Sequence, residues 1–323
     1  MNRPQGNAVL ITGANAGLGK DVARQLANLG KFGTIYLACR NKAKAEAAMT
    51  DLERITGTSV FDIVLVDTTD LTSVRSAVAA ITQPLDAIVL NAGGTGGQTP
   101  LALTADGVTT MFAANVLGHV VLLEQLIVRG MLTSTAVLTG SEAARGVPIL
   151  RIKRPIFETH SVDEFATVID GSFFRGRKVD PSLAYAQVKY LGALWMSALA
   201  RKHPDLRLLT VSPGNTSGTD VFRDLSVVPR TLLQRIVMPY VAPAFGIAHK
   251  LDVGAKRLVD GVNDESWESG VFYASAPKTL TGPLMDQAPI VSDFGSETIQ
   301  DRAYDAIHRF VPASAPETFP RDR

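Results

Sequence analysis

Six short apolar runs punctuate the first two-thirds of the chain: Ala8–Ile11, Thr34–Ala38, Val60–Val66, Leu85–Leu90, Ala136–Leu138 and Leu206–Val211. Each is rich in Val, Ile and Leu and continuous rather than alternating, the pattern of strands buried on both faces. Between them apolar positions recur at helical spacing over Gly19–Leu29, Lys42–Ile55, Leu71–Ile81 and Phe112–Arg129. This alternation predicts an α/β fold, a Rossmann-type doubly wound parallel sheet flanked by helices with right-handed crossovers. The rhythm breaks twice, in a long insertion over 144–180 and in an irregular stretch over 215–250 that holds prolines and aromatics. Loops of such length usually carry function, and the second is read here as a substrate lid. Residues 251–311 read as C-terminal helices and a last strand, and 312–323, with three prolines, as a flexible tail. No repeat or low-complexity linker divides the chain, so 1–323 is expected to form one domain.

Composition narrows the classes. Hydrophobic residues make up 46% and charged residues 20%, too apolar for a disordered chain. The net charge of +1 offers no overall footprint for nucleic acid. A single cysteine, Cys39, cannot close an intramolecular disulfide. The N-terminus lacks the apolar stretch of a signal peptide, and the longest apolar stretch, Leu117–Val128, is interrupted by His119 and Glu124. The expectation is a cytoplasmic protein without a transmembrane segment. The five histidines are scattered without metal-ligand spacing, so no metal is expected.

Chemistry enters after the first strand, at Thr12-Gly13-Ala14-Asn15-Ala16-Gly17-Leu18-Gly19, which opens directly into a helix. Glycines there permit a tight turn and close backbone approach to an anion, and the helix start offers N–H donors and a positive dipole end. In this strand-turn-helix context Gly13, Asn15, Ala16, Gly17, Leu18 and Gly19 are candidate holders of a dinucleotide pyrophosphate. An NAD site would place an acid at the end of the second strand, whereas this chain reads Leu37-Ala38-Cys39-Arg40-Asn41. Arg40, with Asn41 beside it, suits a 2′-phosphate, which favours NADP(H) over NAD. Cys39 reads as a buried filler rather than a nucleophile.

The turn Thr12–Gly19, Asn91-Ala92-Gly93 after the fourth strand, Asn115, Ser141 and Tyr185-Ala186-Gln187-Val188-Lys189 together resemble the short-chain dehydrogenase/reductase family, in order and context, over about residues 8–275. Leu37–Asn41 and the long insertion resemble its retinol dehydrogenase and protochlorophyllide reductase-like branch, the latter further in Thr219–Arg223 and Ser269–Tyr273. Protochlorophyllide reductases carry a cysteine shortly after the catalytic lysine; here Tyr190 and Leu191 stand there, which argues against pigment photoreduction. The resemblance implies that Asp67 and Thr68 meet the adenine and that Asn91, Ala92 and Gly93 pass beneath the adenosine. It implies too that Pro213, Gly214 and Thr216 flank the nicotinamide, with Gly218 where the family usually has threonine. It gives Asn115 a water that relays protons to Lys189.

The residues themselves suggest the reaction. Tyr185 and Lys189, four apart, share a helix face, and Asp180-Pro181 reads as N-cap and first turn. A phenol ionises near ~10, so an adjacent ammonium is expected to lower it toward use as proton donor and acceptor. Ser141, at the end of the fifth strand, would hydrogen-bond the substrate oxygen as charge develops. Tyr190 and Thr139 are minor rivals for these roles. The expected function is NADP(H)-dependent hydride transfer between nicotinamide and a carbonyl or alcohol carbon of a medium-sized apolar substrate, an EC 1.1.1-type reaction. Reduction of an activated C=C bond (EC 1.3.1-type) is the first alternative, and a non-catalytic dinucleotide sensor or scaffold the second. The basic pieces Arg151–Arg154 and Arg175–Lys178 and the apolar stretch Ile236–Phe245 leave peripheral membrane contact open, and relatives pairing through the helices of Asn115 and Tyr185 leave a homodimer open.

Overall fold

A computed structural model describes residues 7–97, 99–216, 248–277 and 279–312. Eight strands form one sheet: β1 Ala8–Thr12, β2 Thr34–Cys39, β3 Phe61–Leu65, β4 Leu85–Leu90, β5 Leu132–Thr139, β6 Arg207–Val211, β7 Phe272–Ser275 and β8 Leu284–Asp286. Their order is β3-β2-β1-β4-β5-β6-β7-β8, parallel throughout except for the antiparallel β7–β8 pair. The order reverses between β1 and β4, and it is outside the carboxyl ends of strands at such a switch point that ligands bind.

Alternation within the strands feeds two apolar layers. Ala8 and Leu10 of β1, with Ile88 and Leu90 of β4, bury against one set of helices, while Val9, Ile11, Ala87 and Val89 bury against the other. The first layer takes α3 (Leu71–Ala80), α4 (Thr110–Val128) and α6 (Pro181–Lys202); the second takes α1 (Gly17–Leu29), α2 (Lys42–Thr56) and α7 (Leu251–Asn263). The continuous apolar runs of the sequence are the consequence of burial from both sides. The helix α4 is long and apolar enough to cross a membrane, yet 72% of its apolar window is buried inside the fold, as in a core helix.

The insertion is more ordered than its irregular sequence predicts. It holds two 3₁₀ turns, Pro148–Leu150 and Ser172–Phe174, and a helix α5, Val162–Ile169. Its start is a cap: Ser161 accepts from Glu164 N, and the Glu164 carboxylate accepts from the backbone N–H groups of Glu158, Thr159 and His160. Phe165, Val168 and Ile169 then bury in the same layer as α6. A final helix α8, Glu297–His308, packs on α5 and α6, so this side of α6 is covered from within the chain. Of the expected lid, 217–247 lies outside the described residues, as do Gly218, Thr219–Arg223, Ile236–Phe245 and the tail from 313 on.

Candidate active site

The glycine turn is built by close approach. Gly13 has φ +70° and Gly17 φ +53°, backbone that favours glycine. A Cβ on Gly19 would lie 2.5 Å from Gly13 O, so the helix can start only this near the strand with glycine there. Ala16 caps α1 without a side-chain hydrogen bond, and no acid stands in the first turn, which leaves the N–H groups and the dipole for an anion. Beneath the turn, buried Cys39 accepts hydrogen bonds from the backbone of Ala14 and Asn15, and burial pushes its thiol up to about 11. Cys39 thus packs beneath the turn as a buried, protonated thiol.

Thr12 ties the turn to the neighbouring strand. Its Oγ1 accepts from Asn91 N at 2.8 Å and Ala92 N at 2.9 Å, and Asn91 Nδ2 donates to Thr12 O. With both lone pairs used, the hydroxyl donates to His119 Nε2 at 3.0 Å, which leaves Nδ1–H to donate to Asn115 O at 3.2 Å. His119 is fully buried and pushed down to about 3 by desolvation and then by the Lys189 charge, so it is neutral. Asn115 lies in a π-helical turn of α4, Ala113–Leu117, a geometry that recurs at functional sites. Its side chain is spent on backbone: Oδ1 accepts from Gly94 N, and Nδ2 donates to Gly94 O and Met111 O. A Cβ on Gly93 would lie 2.3 Å from Asn115 Oδ1, so Asn91, Ala92, Gly93 and Asn115 form one interlocked surface.

At the ends of β2 and β3, Arg40 is 71% exposed and stands 3.5 Å from Asp67 Oδ2. Asp67 Oδ1 accepts from Thr69 N and Oγ1, Thr68 is buried with its carbonyl pressed against Gly118, and Asn41 caps α2 by accepting from Lys44 N. Asn41 is therefore committed to its own helix. Pro213 and Gly214 follow β6, Gly214 with φ +75°, and Thr216 Oγ1 donates back toward Pro213 O and Gly214 O.

The chemistry gathers on α6. Asp180 caps it through Ser182 N and Leu183 N, with Pro181 at the first position, as the sequence predicts. Lys189 is buried and donates to Thr139 O at 2.9 Å, its Nζ 5.7 Å from the centre of the Tyr185 ring. The Ser141 hydroxyl accepts from Ala143 N and acts on the Tyr185 phenol, whose ionised form it favours. The expected lowering of Tyr185 by Lys189 is not what the structure gives. Desolvation pushes the phenol up to about 12 and the Glu142 charge adds to that, with only the Ser141 hydrogen bond opposing. Lys189 itself falls to about 8 because burial disfavours its ammonium. The rivals separate as well. Tyr190 donates to Asp293 Oδ2 at 3.0 Å within an aromatic cluster of Phe157, Phe165 and Phe294, and burial raises its phenol far above the ordinary value.

The sequence reading missed Glu142, buried next to Ser141, together with Ser212 and Arg257, which meet it. An acid inside Thr139-Gly140-Ser141-Glu142-Ala143-Ala144 was the only signal, and nothing in the string names its partners.

The short chain dehydrogenase family model matches residues 7–147. Human retinol dehydrogenase 12 is 30% identical over 286 residues, covering 86% of this chain and 80% of the relative. Among solved structures, a 3-ketoacyl-(acyl-carrier-protein) reductase from Brucella melitensis complexed with NADH is similar at TM-score 0.56 and 20% identity, over 83% of this chain and 95% of that one. A short chain dehydrogenase from Burkholderia cenocepacia J2315 in complex with NADP is similar at TM-score 0.56 and 23% identity, over 84% and 96%. At these identities the two structures speak to the fold alone.

Proposed function

Because this chain belongs to the short-chain dehydrogenase/reductase family, on its retinol dehydrogenase-like branch, we propose that it is an NADP(H)-dependent carbonyl reductase and alcohol dehydrogenase acting on an apolar substrate. The observation that carries the reading is the convergence of Ser141 on Tyr185, with Lys189 one turn further along the same helix face, beside the switch point of the sheet. The glycine turn fits a pyrophosphate, since its backbone is too close for any Cβ at Gly19 and its helix start is uncapped by side chains. Gly13–Gly19 would hold the pyrophosphate, Asn91–Gly93 with Asp67 and Thr68 the adenosine, and Pro213, Gly214 and Thr216 the nicotinamide. Arg40 would hold a 2′-phosphate: it stands exposed at the strand end with one weak ion pair, to Asp67, to give up, and the end of β2 itself carries no acid. When bound, the nicotinamide supplies or accepts the hydride.

The side chains then handle the oxygen. Ser141 orients the carbonyl oxygen, and Tyr185 gives it the phenolic proton as negative charge forms. A phenol raised to about 12 is protonated at neutral pH, the form in which it can donate. Lys189 then helps restore the proton, while the Asn115 side chain, spent on Gly94 O and Met111 O, shapes the floor beneath Gly93 and Gly94.

The test is a panel of aldehydes, ketones and enones offered with NADPH and with NADH, with products identified. Oxidation of NADPH with formation of an alcohol is expected. A saturated C=C bond with the carbonyl retained, or bound cofactor with no turnover on any member, would overturn the reading. Arg40→Asp should weaken NADPH binding by more than about tenfold, through loss of a charge-assisted pair and added repulsion, and leave NADH binding similar or better. Equal affinity of the parent protein for both cofactors contradicts the assignment of Arg40.

A further inference from the structure

Glu142 is buried where an unpaired carboxylate would be costly, and its two oxygens reach apart. Oε2 accepts from Ser212 Oγ at 2.6 Å and Oε1 from Ser275 N at 3.1 Å. Arg257, from α7, brings Nη1 to 3.9 Å from Oε1 while donating to Ser275 Oγ at 2.9 Å and, through Nη2, to Gly282 O. Ser212 in turn accepts from Gly214 N at 3.1 Å. One carboxylate thus connects the residue after Ser141 to the backbone of Gly214. Arg257 also lies directly against that glycine, where a Cβ would stand 2.9 Å from Nη1.

We propose that Glu142 is a positioning residue, with Arg257 as its counter-charge, and that this buried pair clamps Ser141 on the proton-donating side to Pro213-Gly214 on the nicotinamide side. The inference rests on the oxidoreductase reading above and adds to it a group that touches neither substrate nor cofactor. Two buried charges tolerate each other and neither tolerates being left alone. The clamp also sets the field at Tyr185. Facing that phenol are the Ser141 hydroxyl, the Glu142 carboxylate and, on its own helix, Lys189. From α4 comes His119, which is neutral. Around the carboxylate stand Arg257, Arg145, which donates to the carbonyls of Ser275, Ala276 and Thr279, and His249, pushed down to about 4 by burial and by Arg257. Glu142 disfavours the phenolate, and Arg257 is the cation beside that carboxylate, so by Coulomb's law removing one or the other is expected to move Tyr185 in opposite directions.

That reversal is the test. In Glu142→Gln the ionisation of Tyr185, followed by NMR of ring-labelled tyrosine and assigned with Tyr185→Phe, should move to lower pH by about one unit. The alkaline limb of alcohol oxidation should move with it. In Arg257→Gln both should move to higher pH, and in the double variant both should return near the parent. In each single variant kcat should fall about tenfold or more, because the two sides of the site lose their common anchor. Shifts in the same direction, or none, would overturn the proposal, since a merely structural role moves stability and not the phenol. If a single variant fails to fold, the double variant, which carries no lone buried charge, decides. A tenfold loss of kcat at an ordinary melting temperature supports the clamp, and parental kcat refutes it. The tyrosine titrations need no substrate, so they stand even if every carbonyl tested is refused and the functional reading fails.

Discussion

Tyr185 and Tyr190 stand on one helix and face different parts of the molecule. Tyr185 looks toward Ser141 and Lys189 and is half-buried, with Lys189 Nζ 5.7 Å from its ring centre. Tyr190 looks toward the insertion and the C-terminal region, fully buried among aromatic rings, with its hydroxyl fixed on Asp293. Asp293 is also 3.7 Å from Arg154 and 3.6 Å from His160, so Tyr190 fastens the insertion to the segment before α8. One residue type is placed for the proposed reaction on one face and for cohesion on the other, and the surroundings make the difference. The same split separates Lys189, a buried cation kept at a cost, from Trp195, whose indole donates to Glu124 and simply holds α6 to α4.

Substitutions on the two faces should therefore fail in different currencies. Tyr185→Phe keeps the ring and removes only the proton, so turnover should drop by about 10²- to 10⁴-fold with the melting temperature nearly unchanged. Comparable losses from Tyr190→Phe would erase the distinction between the faces. Lys189→Met should lower turnover and cofactor affinity together while leaving the protein no less stable at neutral pH. The sign follows from the lysine, whose folded value of about 8 lies below its ordinary 10.5. The parent carries the burial penalty in full below about pH 8 and sheds it as pH rises toward 10.5. Urea midpoints at pH 7 and pH 10 should show parent stability gaining on the variant across that window. Tyr190→Phe should cost about 1–3 kcal/mol, since Asp293 loses a buried donor, and leave kcat within about twofold. The smallest effect belongs to Glu124→Gln. Burial pulls His308 down, but the hydrogen bond and charge of Glu124 outweigh it and raise His308 above its ordinary 6.5. That contribution, about 1 kcal/mol or less for a partly exposed pair, is present below pH 6.5 and disappears as pH rises through the folded value. Denaturation of parent and variant should differ at pH 5.5 and converge at alkaline pH.

The cofactor half was legible because backbone writes it. Gly13 and Gly17 are favoured by their positive φ and Gly19 by an approach distance that leaves no room for a Cβ, and strands buried on both faces announce themselves as unbroken apolar runs. Tyr185 and Lys189 were legible through helical spacing and the Asp180-Pro181 cap. What stayed hidden depends on contacts far apart in the chain. The upward shift of Tyr185 comes from burial and from Glu142, neither of which spacing reveals, and Arg257 reaches Glu142 from a helix that begins more than 100 residues later. The pattern Ser161-Val162-Asp163-Glu164 could have disclosed α5 as a capping box; its eight residues were masked by the irregular flanks of the insertion. The strands β7 and β8 are too short for a periodic signal and take their pairing from β6.

The central claim is that the face of α6 bearing Tyr185 completes a hydride transfer to a carbonyl carbon. NADPH deuterated at C4 of the nicotinamide, incubated with an aldehyde the protein accepts, tests it most directly, by mass spectrometry and NMR of the product. The account predicts one deuterium on the carbinol carbon, formed at the parental rate by Tyr190→Phe and at least about 10²-fold more slowly by Tyr185→Phe. Deuterium on the β-carbon of a retained carbonyl when the aldehyde is unsaturated, or a product formed as fast by Tyr185→Phe as by the parent, would contradict it.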